Sequence, residues 1–183
     1  MATKYTVPGL EPEKARQVTE RLQQRLNSLI DLQLTLKHIH WNVVGATFIA
    51  VHEMLDPQVD AVRAMTDEVA ERIATLGSEP HGTPGYVVAH RSWQDYSLNR
   101  ATTAEHLAAL DISYGGVIAD HRRAIEEFGA LDLVSQGTLI EQTAQLEQFQ
   151  WLVRAHLEDA TGALAHEGTR GEREAARAAV GGS

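Results

Sequence analysis

Two pairs of potential metal ligands stand on one stretch of the sequence, and the members of each pair are four positions apart. The first pair is His52 and Asp56, the second is Asp67 and Glu71, and a further histidine, His40, precedes His52 by twelve residues. Residues four apart share one face of a helix, so each pair is within reach of a single ion. Imidazole and carboxylate ligands suit iron, zinc or manganese and disfavour a soft-metal site. The pattern therefore predicts a site for one of these metals.

The distance between the two pairs sets a condition on such a site. His52 and Asp67 are fifteen residues apart, about 22 Å along a helix that rises 1.5 Å per residue. Metal–ligand bonds of these types measure only about 2.0–2.2 Å. One straight helix cannot bring both pairs to one metal, but two antiparallel copies can, about a two-fold axis near Ala61–Val62. If all four residues are ligands, the site is shared at a dimer interface and occurs twice per dimer.

Each of these residues also has an ordinary structural explanation. Asp56 precedes Pro57 and could cap the N-terminus of a helix, which makes it the weakest of the proposed ligands. Asp67 and Glu71 could form a solvated helix face, with Glu71 paired to a neighbouring basic residue. A lone histidine on a helix is more often packed or exposed than a ligand. The other histidines show no comparable constellation and are assigned no role: His38, His81, His90, His106, His121, His156 and His166.

Helical periodicity predicts the elements that must position these groups. Apolar residues recur at steps of three and four, and together with glycine stops and a Thr102–Glu105 capping box they predict four helices. The first three cover 11–44, 48–76 and 102–129, and the fourth begins around 138 or a little earlier and reaches 160. Within the second helix, Pro57 is expected either to introduce a kink or to start a new helix. The proline- and glycine-rich stretch 77–93 is predicted to be a connecting loop.

Four long helices with one long middle connection predict an all-α fold, a ferritin-like four-helix bundle with a long middle crossover and flexible termini. We expect a tail over residues 1–10, the bundle over 11–167 and a loose C-terminal tail over 168–183. No alternating pattern indicates a sheet.

Composition excludes several classes of protein. The 183 residues are about one domain's worth, and the absence of cysteine excludes disulfide scaffolds, thiolate metal sites and cysteine nucleophiles. The net charge of −9 leaves no basic footprint for nucleic acid on the body of the protein. Because no apolar stretch could span a bilayer and no secretory signal is recognisable, we expect a soluble, cytoplasmic protein with no membrane partner.

Catalytic motifs narrow the chemistry further. Neither a dinucleotide-binding glycine motif, a P-loop nor a serine nucleophile elbow is present. The zinc-protease pattern His-Glu-x-x-His fails because Asp56 occupies its second histidine position. No histidine has a glutamate three residues before it, which argues against the di-iron site that ferritin-like bundles build between their own helices.

Between residues 37 and 77 the sequence resembles the Dps family, the ferritin-like DNA-binding proteins from starved cells. The residues that carry this resemblance are His40-Trp41-Asn42-Val43, Gly45, Phe48, His52, Asp56, Asp67, Glu71-Arg72 and Leu76-Gly77. The resemblance implies a centre for at most two iron ions, in which His40, His52 and Asp56 of one subunit face Asp67 and Glu71 of its partner. It also implies that Trp41 lies beside the centre as an oxidisable aromatic residue, although a core tryptophan at a helix end would fit equally well.

The same resemblance implies an activity and an assembly. Members oxidise Fe(II), commonly with hydrogen peroxide and otherwise with dioxygen, and store ferric mineral inside a shell of twelve subunits built from two-fold dimers. We therefore expect a ferroxidase and iron-storage protein. The alternative is a non-enzymatic nucleoid or structural shell protein that retains the fold without turnover.

DNA binding is the part of the family pattern that this sequence follows least. The C-terminal tail carries Arg170, Arg173 and Arg177 against Glu172 and Glu174, whereas the rest of the chain is strongly acidic. Mobile tail arginines could bridge the shell to DNA and associate it with the nucleoid. The tail could equally be a neutral solubilising extension.

Overall fold

The fold is almost entirely helical. The computed structural model describes residues 5–181, which form six helices and one pair of two-residue strands. In chain order these are α1 (Pro12–Asn42), β1 (Val43–Val44), α2 (Phe48–Thr75), α3 (Pro84–His90), β2 (Ala101–Thr102), α4 (Thr103–Phe128), α5 (Leu133–Ala155) and α6 (Glu172–Gly181). The predicted all-α bundle with a long middle crossover is confirmed, with α1, α2, α4 and α5 as its four long helices.

Local sequence signals explain where these helices begin. α4 starts at the predicted capping box, in which the Thr102 side chain accepts from the Glu105 N–H and the Glu105 carboxylate accepts from the Thr102 N–H. α5 starts earlier than residue 138 because the carboxylate of Asp132 accepts hydrogen bonds from the first backbone N–H groups. α2 continues through Pro57 as one helix. Asp56 therefore lies inside α2 and does not cap a helix.

The apolar faces of the four long helices form one core. α1 packs along α2 and α4 packs along α5, so each consecutive pair is a helical hairpin. The largest fully buried side chains lie on α1, on α2 and the residue that follows it, and on α4. They include Leu22, Leu36, Leu55, Leu76, Tyr114 and Phe128. Within residues 5–181 no helix is both long and apolar enough to cross a membrane.

The crossover between α2 and α4 is fixed to α1. Asp31 on α1 accepts hydrogen bonds from Arg91 at 2.9 Å and from the Trp93 indole at 2.8 Å. The crossover then joins β1 as the parallel strand β2, with Val43 opposite Ala101. Part of the stretch predicted to be a loop is the short helix α3, which Pro84 opens at its first position. The crossover therefore ends beside the C-terminus of α1.

The predicted loose C-terminal tail is corrected by the structure. Residues Glu172–Gly181 form α6, which packs against α4 and buries Ala175 and Ala176. The Glu172 carboxylate accepts from the Ser97 N–H at 2.7 Å and from the Ser113 hydroxyl at 3.1 Å. These contacts, which join residues far apart in sequence, hold in place a helix whose Ala, Glu and Arg residues favour helix formation. Residues 1–4 and 182–183 lie outside the described part of the chain.

Candidate metal centre

The two histidines of the candidate site stack on each other at the turn between α1 and α2. His40 occupies the last turn of α1 and His52 lies near the start of α2, and their ring centroids are 3.5 Å apart. Gly45, with a φ of 114°, adopts a left-handed conformation in the turn that reverses the chain between them. The tight reversal therefore places both imidazoles at one end of the helical hairpin.

A reciprocal pair of hydrogen bonds fixes both rings. His40 Nδ1 donates to the backbone oxygen of His52 at 3.0 Å, and His52 Nδ1 donates to the backbone oxygen of His40 at 2.9 Å. Because a carbonyl oxygen can only accept, each neutral ring carries its hydrogen on Nδ1 and its lone pair on Nε2. Within residues 5–181 neither Nε2 atom has a hydrogen-bond partner. A backbone oxygen that accepts from the other ring nitrogen orients a histidine in this way for metal binding.

Asp56 completes one half of the candidate site. One of its oxygens lies 3.4 Å from His40 Nδ1 and accepts a hydrogen bond from the Lys37 ammonium at 2.7 Å. The bond from Lys37 holds the pKa of Asp56 below its ordinary value, against a smaller opposing effect of desolvation, and the proximity of His40 acts in the same direction as Lys37. Asp56 is therefore a carboxylate at neutral pH, next to both imidazoles.

The other two predicted ligands, Asp67 and Glu71, lie further along α2 and away from the histidines. Both side chains are exposed, and within the described chain neither makes a hydrogen bond or an ion pair. The neighbouring base, Arg72, instead donates to Asp132 at 2.7 Å, so it is not the partner of Glu71. No group of three or more histidine or acidic side chains in residues 5–181 of a single chain is arranged to hold a metal ion.

On the exposed face of α2, polar and charged residues occupy equivalent positions on either side of a midpoint. Numbered outwards from the point between Ala61 and Val62, Asp60 corresponds to Arg63, Asp56 to Asp67, and His52 to Glu71. Asp60 and Arg63 are both exposed and form no ion pair within residues 5–181. A two-fold axis through this point would bring each residue of the series against its counterpart in a second copy.

Large apolar side chains are exposed beside the histidines. Trp41 is 71% exposed, Ile49 55% and Phe48 37%, and the Phe48 ring lies 5.0 Å from that of His52. Trp41 is therefore not a core residue of the single chain. Apolar surface concentrated in this way is typical of a protein–protein interface.

The three tail arginines are all exposed. Arg173 and Arg177 stand one turn apart on α6, and Arg170 lies two residues before the helix. Arg173 also makes a long contact, 3.4 Å, from its guanidinium to the Ser97 carbonyl. Sequence reasoning did not find Lys37, since nineteen residues separate it from Asp56 and only the packing of α1 on α2 joins them.

Comparison with known proteins places this geometry in a family. A sequence model of the ferritin-like domain matches residues 19–163. The chain is 58% identical over 174 residues to a DNA protection during starvation protein of Mycolicibacterium smegmatis, covering 95% of each chain. It is also 50% identical over 158 residues to the fine tangled pili major subunit of Haemophilus ducreyi, covering 86% of this chain and 84% of that protein.

Solved structures agree with the sequence comparison. The structure of Mycobacterium smegmatis Dps superposes with a TM-score of 0.90 at 58% identity, covering 92% of this chain and 96% of that one. DpsA14 from Streptomyces coelicolor gives a TM-score of 0.89 at 59% identity, covering 90% and 98%. The chain belongs to the Dps family of ferritin-like proteins, for which iron storage and DNA protection are family functions.

Proposed function

We propose that this protein is a ferroxidase that stores the iron it oxidises. Fe(II) would be bound and oxidised at a site for at most two ions, between His40, His52 and Asp56 of one subunit and Asp67 and Glu71 of a second. The ferric product would collect inside a shell of twelve subunits. The reciprocal hydrogen bonding of His40 and His52 carries this proposal, because it orients both Nε2 atoms as ligands at one end of the helical hairpin.

The equivalent positions on the exposed face of α2 support a site shared across a two-fold axis. Asp67 and Glu71 are exposed and without partners in the described chain, as expected for ligands that complete a site on another subunit. The two-fold axis that would bring His52 of one subunit opposite Glu71 of the second would also bring Asp56 opposite Asp67. The same axis would place Asp60 opposite the oppositely charged Arg63. The exposed Trp41, Phe48 and Ile49 would be covered in the same interface.

The ligand types suit this reaction. Neutral imidazole binds Fe(II), and carboxylates offset the charge of the cation and favour the harder Fe(III) product. Two Fe(II) ions together supply the two electrons that convert hydrogen peroxide to water, with two protons taken up and no hydroxyl radical released. Dioxygen is the other oxidant that the site would accept. Trp41 would lie beside the metal as an oxidisable aromatic. Because Fe(II) and a proton compete for the same imidazole nitrogens, Fe(II) binding would weaken as the solution becomes more acidic.

The test removes one ligand from each half of the site. Initial rates of Fe(II) oxidation by peroxide should fall at least about tenfold in His52→Ala and in Glu71→Ala, while His156→Ala and Glu141→Ala, which alter exposed residues on α5 and at its C-terminal end, keep the wild-type rate. Light scattering of the wild type should give a mass near about 240 kDa, twelve times the 20.1 kDa chain. Undiminished oxidation in both site variants would refute the assignment.

A structural role without turnover is the alternative, and the identity to a pilus subunit gives it a specific basis. The same assay separates the two functions. A wild-type shell that forms normally but shows no saturable Fe(II) oxidation would be a structural protein.

We infer a second function, DNA binding by the exposed arginines of the C-terminal segment. Arg170, Arg173 and Arg177 extend from a chain with a net charge of −9, so their contact with phosphate would depend strongly on salt. Twelve copies would multiply a weak contact and associate the cytoplasmic shell with the nucleoid. Replacing all three by Gln leaves the Glu172 hydrogen bonds and the buried Ala175 and Ala176 of α6 unaltered. It should abolish the gel shift at low salt and leave iron oxidation unchanged, whereas Arg100→Gln with Arg122→Gln should not. An unchanged gel shift would remove these arginines from DNA binding.

A further inference from the structure

A half-buried tyrosine and a buried histidine form a hydrogen-bonded pair on the opposite side of α1 from the candidate metal centre. Tyr96 lies in the crossover and His106 in the first turn of α4. The phenol oxygen is 3.0 Å from His106 Nδ1, and His106 is fully buried. The other acceptor near the phenol, the His106 carbonyl, is 3.4 Å away. The phenolic hydrogen is therefore directed to the imidazole.

The environment prepares this pair for proton transfer. Burial lowers the pKa of His106, so the ring is neutral at pH 7 and offers a lone pair at Nδ1 when its hydrogen is on Nε2. Backbone groups of Asn42 and Asn99 act on this pKa in the opposite direction, and His106 Nε2 has no hydrogen-bond partner within residues 5–181. Burial also raises the pKa of Tyr96, which remains a phenol across the physiological range. The pair can thus exchange a proton only when the phenol is oxidised.

The pair lies against the same turn of α1 that carries the iron ligand His40. The rings of His38 and Tyr96 pack edge-to-face with centroids 5.9 Å apart, and the backbone of Asn42, one turn later on α1, lies close enough to His106 to affect its pKa. His40 and Trp41 lie between them in sequence and point to other sides of the helix. The candidate centre and Tyr96 are therefore separated by the width of α1, ~10–12 Å with its side chains, and by the contact between the His38 and Tyr96 rings.

We propose that Tyr96, with His106 as its proton acceptor, is a redox-active residue that quenches one-electron oxidants formed at the iron site. The inference rests on the proposed ferroxidase function for the source of the oxidant. When a single Fe(II) reduces hydrogen peroxide, the products are Fe(III), hydroxide and a hydroxyl radical. Tyr96 supplies one electron, which reduces that radical to hydroxide.

The proton that Tyr96 loses in this step is taken up by His106. As the electron leaves, the phenolic O–H bond breaks and an N–H bond forms at His106 Nδ1, so the products are a neutral tyrosyl radical and an imidazolium. A later Fe(II) returns the electron as it becomes Fe(III), and the proton returns to the phenol oxygen. The residue is thereby restored, and a diffusing radical is converted to hydroxide.

The first experiment detects the radical after iron oxidation. Full-length shells receive about one Fe(II) per site and then peroxide, and are frozen for electron paramagnetic resonance. Wild type should show a tyrosyl radical that is lost in Tyr96→Phe and kept in Tyr86→Phe. Tyr86 is a matched control, since it stacks between His81 and His90 but its hydroxyl has no hydrogen-bond partner in residues 5–181. An unchanged signal in Tyr96→Phe would overturn the proposal.

The second experiment supplies the oxidant without iron. Photogenerated ruthenium(III) tris-bipyridine oxidises the protein, and the tyrosyl absorbance is followed in time. His106→Gln retains a hydrogen-bond acceptor but no base, so the rate of Tyr96 oxidation should fall about 100-fold, the lower end of what a positioned base contributes. An unchanged rate would refute the role of His106, and with it the pair.

Together the two experiments distinguish this inference from the ferroxidase proposal. A wild-type chain that oxidises no iron but forms the Tyr96 radical with the ruthenium oxidant would refute the ferroxidase and uphold Tyr96 as redox-active. A chain that oxidises iron normally but forms no Tyr96 radical with either oxidant would refute the inference alone.

Discussion

A mixture of two inactive variants should recover a defined fraction of the oxidation rate. His52→Ala damages the histidine half of the proposed site and Glu71→Ala damages the acidic half. About 28 Å of helix separates these residues in one chain, at 1.5 Å per residue, so no subunit can contribute both halves to one metal. A subunit that carries His52→Ala still presents an intact Glu71, and the reverse holds for its partner.

The arrangement of two shared sites in each dimer determines what fraction of the oxidation rate is recovered. In a dimer of the two variants, one interface site unites both intact halves and the other unites both damaged halves. Random mixing of equal amounts makes half of all dimers mixed, so one quarter of all sites would be intact. The mixed shells should therefore oxidise Fe(II) at about 25% of the wild-type rate, against a value near zero for either variant alone.

The assay needs subunit exchange and a matched control. The variants are dissociated, mixed in equal amounts, reassembled and tested with limiting peroxide. Because His40 and His52 lie in the same half-site, a mixture of His40→Ala with His52→Ala has no intact histidine half in any site and should stay inactive. A mixture of His52→Ala with Glu71→Ala that also stays inactive, despite verified exchange, would refute a shared site.

Two further predictions follow from the same interface and from the core. Charge reversal at Asp60 or at Arg63 alone should weaken the dimer, and reversal of both should restore it, as measured by sedimentation; equal weakening in all three variants would contradict the axis near Ala61–Val62. Burial lowers the pKa of His121 to about 4, so between pH 6.5 and 4 the unfolded chain binds a proton that the folded chain does not. Stability should therefore fall as the pH decreases through this window, by up to about 3 kcal/mol per subunit. Urea unfolding of wild type and His121→Gln measures this, and an equal pH dependence in both would contradict it.

Much of the fold could be predicted from local patterns. The apolar periodicity of α1 and α2 and the capping box of α4 are properties of short windows, and the helices begin within a few residues of the predicted positions. α6 is rich in the helix formers Ala, Glu and Arg, but its packing could not be predicted, because Ala175 and Ala176 become a buried face only against α4. Its anchor, Glu172, binds Ser97 and Ser113, which lie 75 and 59 residues away along the chain.

The sequence could predict which residues form the candidate site but not how their side chains are arranged. Spacing could place His52 with Asp56 and separate both from Asp67. It could not show that His40 and His52 exchange hydrogen bonds with each other's backbone, because that depends on the tight turn at Gly45. The contact between Tyr96 and His106 could not be predicted for a similar reason, because it forms only when the crossover brings a loop residue to the start of α4.

Because each proposed site needs two subunits, metal binding and dimer formation must strengthen each other. A ligand that binds only the assembled state stabilises it by about 2.7 kcal/mol at one hundred times its dissociation constant, and two sites per dimer give about 5 kcal/mol. Zn(II), which takes the same ligands without redox chemistry, should thus raise the temperature at which the wild-type dimer dissociates. Glu71→Ala should lose this increase, whereas Glu141→Ala, on the exposed face of α5, should keep it. Light scattering during heating follows dissociation directly. An equal increase in Glu71→Ala would mean that zinc binds elsewhere and that metal binding at the proposed site does not stabilise the dimer.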